Sequence, residues 1–197
     1  MANKIRLSRT EWIKAAFRAL TEAGPQAIRV ESIARDLQVS KGSFYWHFKN
    51  LAALKSAMIE HWLELGTHQI IATLEAEGTS PRERLMELVT QAVSDQTRPY
   101  GGPKVEAAIR DWARYDGFVE NTVAKIDQLR VGYVTDLMVA VGGDQAKASQ
   151  NADILYATLI GLNHLSRRGG ADAKDLLLVT LDLLLTDLTE PKNRANC

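Results

Sequence analysis

At 197 residues the chain is long enough to bury a full core, as one large domain or two small ones. Its 24 lysines and arginines balance 24 aspartates and glutamates, so whole-chain charge selects no partner, yet residues 1–50 carry nine basic against four acidic side chains and the remainder is net acidic. That division suits an N-terminal polyanion binder on an acidic body, and the single cysteine, Cys197, excludes an intrachain disulfide and points to a reducing cytoplasm.

Met1 to Leu7 is a basic arm with Lys4 and Arg6, either a solvated terminus or a segment that touches DNA backbone. The first helix begins at Ser8, where Ser8-Arg9-Thr10-Glu11 forms a capping box. Its apolar face runs through Trp12, Ile13, Ala16, Phe17 and Leu20, and Gly24-Pro25 ends it. Val30, Ile33, Ala34 and Leu37 then mark a second, short helix.

The third helix lies in Val39-Ser40-Lys41-Gly42-Ser43-Phe44-Tyr45-Trp46-His47-Phe48. Ser40 has the chemistry of an N-cap. Phe44 and Phe48, four residues apart, share one face that must be buried. Lys41, Ser43, Tyr45, Trp46 and His47 make the other face far more aromatic and basic than a solvated helix needs. Gly42 costs helix stability but lets another backbone, such as a phosphate chain, come close. Two short helices joined by a tight turn, the second basic and aromatic, have the form of a helix-turn-helix. Asn50 caps a long fourth helix, about residues 50–77, whose buried side carries Leu51, Leu54, Met58, Ile59, Trp62, Leu65 and Ile70.

From about Ser8 to Trp62, on Ile33-Ala34 and the run Val39 to Phe48, the chain resembles the DNA-binding domain of the TetR (tetracycline repressor) family of bacterial transcription regulators. The resemblance implies an all-α fold of about nine helices. An N-terminal helix-turn-helix domain (1–50) would precede a C-terminal effector-binding and dimerisation domain (51–197), the fourth helix linking the two. It also assigns Lys41 to the major groove, Ser43 and Trp46 to base edges or thymine methyls, and Tyr45 and His47 to phosphates, with Gly42 permitting the approach. Arg29 stands where a small hydroxyl residue is common, so it can reach a phosphate but removes a helix cap. Leu51 replaces a phosphate-binding lysine found in many members, so that contact is either lost or supplied by Lys49 or Lys55.

Beyond residue 77, Gly78-Thr79-Ser80-Pro81 breaks the chain and starts a helix bearing Leu85, Leu88, Val89, Ala92 and Val93. Arg98-Pro99-Tyr100-Gly101-Gly102-Pro103 reads as a loop. Helices follow over about 104–115, 119–141, 145–166 and 173–188, and Glu190 to Cys197 reads as a frayed tail. The tract Leu176 to Leu188 is cut by Asp182 and Asp187 and is too short to span a bilayer, so a soluble cytoplasmic protein is expected. Its leucines surround most of the helix, more than one side of one core can bury. A homodimer through the last two helices explains this, with Leu155, Gly161, Leu165, Leu177, Leu181, Leu184 and Leu188 at the interface; a wholly intrachain core is the alternative.

As in the resembled family, a small apolar effector is expected in the body. The candidate pocket residues are Trp62, Met86, Tyr100, Arg110, Trp112, Tyr133, Asn163 and His164, each of which also has an ordinary reading as core or ion pair. Trp112 is favoured because a buried indole N–H needs a partner. His61, His68 and His164 are scattered, and no metal-ligand spacing, nucleophile elbow or phosphate loop occurs, so neither enzyme nor cofactor is expected. The expected function is a repressor that binds a palindromic operator in double-stranded DNA and is released by its effector. The alternatives are a helical adaptor or ligand-binding protein with weak DNA binding, and a regulator with no effector.

Overall fold

A computed structural model describes residues 7–93, 100, 104–165 and 171–189. The expected arm (all but Leu7), most of the loop at 98–103 and the tail from Glu190 lie outside them. Every regular element among the described residues is helical: α1 (Arg9–Ala23), α2 (Val30–Asp36), α3 (Lys41–Phe44), α4 (Leu51–Leu63), α5 (Gln69–Ala76), α6 (Pro81–Ala92), α7 (Lys104–Ala113), α8 (Gly117–Val141), α9 (Gln145–His164) and α10 (Ala171–Thr189). Counting α4, the π-turn Glu64–His68 and α5 as one element gives nine helices. None of them is long and apolar enough to cross a membrane. The described residues fall into two compact units, one within Met1–Leu65 and Asp95–Val123, the other within Gly66–Ser94 and Ala124–Cys197.

In the first unit, α1 starts where expected. Glu11 N–H donates to Ser8 Oγ at 3.3 Å, and Glu11 returns its carboxylate to the Ser8 N–H. Gly24, at φ 77°, ends it in a conformation that suits glycine. Trp12 packs edge-on against Phe44 at 5.4 Å, and Phe44 stacks on Phe48 at 5.5 Å. Ile13, Phe17, Leu20, Leu54, Met58 and Ile59 complete this buried set. From α7, Trp112 and Ile109 are also buried, and α7 packs on α1.

Two local expectations are corrected. Ser40 takes the extended backbone of an N-cap, but its hydroxyl makes no capping bond; the first turn closes through Ser43 N–H to the Ser40 carbonyl at 2.9 Å. The fourth helix does not run unbroken: it widens into the π-turn at Glu64–His68 before continuing as α5. A π-turn adds a residue to one turn and loosens the regular ladder. Here Arg130 of α8 meets the freed groups, with Nε on Thr67 Oγ1 at 2.9 Å and Nη2 on the Gly66 carbonyl at 3.3 Å. Tyr156 of α9 accepts from Arg130 Nη1 at 3.3 Å and donates to Asp127 at 2.6 Å.

The second unit is built on α6, α8, α9 and α10. Leu177, Leu181, Leu184, Leu185 and Leu188 form one stripe of α10 and pack with Leu85, Val89, Leu137, Met138, Ala148, Ala152 and Leu155. Asn151, buried among them, donates to the Leu184 carbonyl and to Asp187, both at 3.0 Å, while Lys147 pairs with Asp187 at 3.1 Å. Leu155, Leu177, Leu181, Leu184 and Leu188, expected at a dimer interface, are therefore interior residues of a single chain. Leucine occupies so many positions of α10 that composition reveals its breadth but not which stripe faces inward. Outward apolar residues include Ile154 and Gly161 on α9, Leu165 at its C-terminal cap, and Leu176, Val179 and Leu183 on α10.

Candidate nucleic-acid interface

The tight connection between α2 and α3 is closed by backbone bonds from Gln38 N–H to the Arg35 carbonyl (3.1 Å) and from Val39 N–H to the Ala34 carbonyl (2.9 Å). Gln38 itself sits at φ 56°, a left-handed position uncommon for a residue with a side chain. α3 spans only four residues, but His47 and Phe48 continue the winding by bonding to the Phe44 carbonyl at 2.9 and 3.0 Å. The segment is too short to hold itself helical. Phe44, 0% exposed, and Phe48, 3% exposed, fasten it to α1.

That anchorage turns the other residues outward. Tyr45 is 57% exposed and Trp46 81% exposed, and Lys41, Gly42 and Lys49 also face solvent, while Ser43 and His47 are half-buried. A methyl on Gly42 would meet only Ser40 Oγ, at 3.7 Å, so the fold itself does not demand glycine there. Arg29 is exposed at the head of α2, its Nε on the Gln26 carbonyl at 2.9 Å, and its side chain caps nothing. All eight residues expected to meet DNA thus lie on or beside one helix-turn-helix, with their polar or aromatic groups accessible in whole or in part.

A carboxylate that the sequence analysis did not single out also lies on this face. Glu31, in the first turn of α2, accepts a hydrogen bond from Lys41 Nζ. That bond holds the Glu31 carboxyl below its usual range and raises Lys41 above the ordinary ammonium value. An acid ten residues before a lysine has no helical spacing to mark it; only the turn between α2 and α3 joins them.

The pocket candidates divide between the two units. Trp62, Tyr100, Arg110 and Trp112 belong to the first unit; Met86, Tyr133, Asn163 and His164 to the second. Trp112 is buried, but its indole N–H is met locally by Asp116 at 3.2 Å, and Lys55 lies 5.3 Å over the ring. Arg110 pairs with Glu106 at 2.8 Å. Trp62 is core and Met86 is exposed. Asn163 is half-buried, and exposed His164 has Nδ1 3.1 Å from the Ile160 carbonyl. Tyr100 packs against Phe17 at 5.9 Å and His61 at 4.9 Å. Tyr133 donates to Glu75 at 2.8 Å, and burial with that bond pushes its hydroxyl up to about 12. In the first unit a surface groove of about 440 Å³ runs between α1 and α2, edged by Arg18, Glu22, Arg29 and Asp36; none of the pocket candidates lines it.

A family model described as bacterial regulatory proteins, tetR family, matches residues 13–58. The transcriptional regulator TtgR of Pseudomonas putida is 28% identical over 88 residues, covering 45% of this chain and 42% of its own length. The chain therefore matches less than half of that relative. Among solved structures, a transcriptional regulator from Rhodococcus sp. Rha1 superposes with TM-score 0.75 at 17% identity, over 94% of this chain and 100% of its own. The regulator FadR of Bacillus subtilis, in complex with stearoyl-CoA, gives TM-score 0.70 at 16% identity, over 91% and 98%. The structural likenesses establish the all-helical fold, and residues 13–58, which hold the helix-turn-helix, are similar to the tetR family of bacterial regulatory proteins.

Proposed function

We propose that this protein is a transcriptional regulator that inserts the segment Lys41 to Phe48 into the major groove of duplex DNA as a homodimer. The observation that carries the reading is the pairing of interior Phe44 and Phe48 with solvent-exposed Tyr45 and Trp46 beside Lys41. Large aromatics left in water beside cations suit a surface that a polyanion covers. Lys41, Ser43 and Trp46 take base edges; Arg29, Tyr45, His47 and Lys49 take phosphates, and Gly42 leaves room for the backbone.

One short helix offers few contacts, so a second copy is needed. Ile154, Gly161 and Leu165, spaced at seven and four residues, and Leu176, Val179 and Leu183, spaced at three and four, give outward apolar stripes on α9 and α10 for a twofold contact. The acyl-CoA in the FadR complex motivates a long-chain thioester as the first effector to try, with release of DNA as the repressor's response.

Selection of bound duplexes from a random pool tests the reading. Enriched sites with two inverted half-sites about one helical turn apart are expected, and stearoyl-CoA should lower their retention. A pool that enriches nothing, or a protein that sediments as a monomer at every concentration, would overturn it.

A further inference from the structure

Glu31 is the acid set among the cations of the α2–α3 face. Lys41 Nζ donates to its Oε1, and the two side chains keep 52% and 66% of their exposure, Lys41 first. Arg29, two residues earlier, adds to the pull on the Glu31 carboxyl, and Tyr45 lies close enough to act on Lys41. An exposed pair of this kind adds little to folding. On a surface built to meet phosphates, a carboxylate also opposes binding. Neither stability nor raw affinity accounts for it.

We propose that Glu31 is a specificity-determining residue, holding the Lys41 ammonium over the base edges and withholding it from the phosphates. The inference rests on the DNA-binding reading above. An ammonium has three donors. Lys41 can keep Glu31 on one of them and offer the other two to the O6 and N7 acceptors of a guanine. Swinging out to a phosphate breaks the pair and leaves a bare carboxylate beside the polyanion. The phosphate is present at every sequence and the guanine edge only at some, so Glu31 penalises the non-specific mode more than the specific one.

The test is Glu31→Gln in the full chain, titrated against a random-sequence duplex and against the best duplex from the selection, over a series of salt concentrations. Circular dichroism should show an unchanged melt, because both side chains are exposed. Affinity for the random duplex should rise about three- to tenfold near 0.1 M salt, and the log–log salt slope should steepen by about 0.9 as Lys41 takes one phosphate. The selected duplex should gain less, so the discrimination ratio falls. In a Lys41→Met background the same substitution should leave slope and discrimination unchanged. The proposal is overturned if Glu31→Gln leaves both at their wild-type values, or alters them equally without Lys41. A wild-type protein that retains no duplex would instead remove the DNA-binding reading beneath it.

Discussion

Phe44 and Trp46 stand two residues apart in one turn of chain and should respond oppositely to truncation. Phe44 is 0% exposed and touches three rings: Trp12 at 5.4 Å, Tyr45 at 5.2 Å and Phe48 at 5.5 Å. Phe44→Ala removes the transfer free energy of the ring and leaves a cavity against Trp12, a loss of about 3–5 kcal/mol. Because α3 cannot persist alone, that loss falls on the presentation of Lys41 and Tyr45 as well as on the core. Trp46, 81% exposed, has little to lose: Trp46→Ala should move stability by no more than about 0.5 kcal/mol. On the proposed function it should weaken the selected duplex by about 1–3 kcal/mol and the random duplex far less. Urea unfolding followed by circular dichroism reads the first quantity, and fluorescence anisotropy of labelled duplexes the second. If Trp46→Ala costs more stability than Phe44→Ala, or if Phe44→Ala keeps both fold and binding, the anchor-and-display account of this segment is wrong.

Arg130→Met should cost about 1–3 kcal/mol, since it strips a partner from the buried Thr67 hydroxyl and from the Gly66 carbonyl; thermal melts of the variant beside Tyr156→Phe measure it. His61 is held below its ordinary pKa first by burial and then by Lys14 and Arg9, and its buried Nε2 meets no hydrogen-bond partner among the described residues. Below about pH 6.5 the unfolded chain binds that proton more readily than the folded one, so stability is full above this range and declines as pH falls toward the lower folded pKa. Urea midpoints at pH 7.5 and 5 should differ less in His61→Phe than in wild type. Two glycines should give opposite signs. Gly143→Ala puts a methyl 2.7 Å from Leu188 Cδ2 and 3.1 Å from the Met138 carbonyl, and should lose about 1 kcal/mol. Gly132→Ala, within α8 with nothing in reach, should gain about 0.5–1 kcal/mol by the same melts.

The helix-turn-helix was legible because its signals are local. A four-residue spacing put Phe44 and Phe48 on one face, Ser8 and Glu11 met across three residues, and Asn50 caps α4 by accepting from Ala53 N–H at 2.9 Å. Each needs only chain geometry. Ser40 shows where that kind of argument stops: the residue type and the backbone suit a cap, yet the hydroxyl makes no such bond. The π-turn lay deeper still. Nothing in Glu64-Leu65-Gly66-Thr67-His68 marks an extra residue in the winding; it depends on a guanidinium 63 residues away in sequence, which reaches Thr67 from α8.

What stayed hidden in the C-terminal half is therefore polar and long-range, and it left a faint trace. Arg130 interrupts the apolar series Ile126, Val134, Leu137 and Met138, and Asn151 sits beside Ala148 and Ala152 on a helix that is otherwise small and apolar inward. A charged or amide side chain in such company must find a partner, because leaving it unmet costs more than the bond itself contributes. The partners, Gly66, Thr67, Leu184 and Asp187, lie more than thirty residues away and carry no periodicity that would pair them beforehand. The same reasoning resolves α10. Leucines 177, 181, 184, 185 and 188 are inward in the apolar cluster, and Asn151 beside them donates to the Leu184 carbonyl and to Asp187. With α10 turned this way, Leu176, Val179 and Leu183 are left outward.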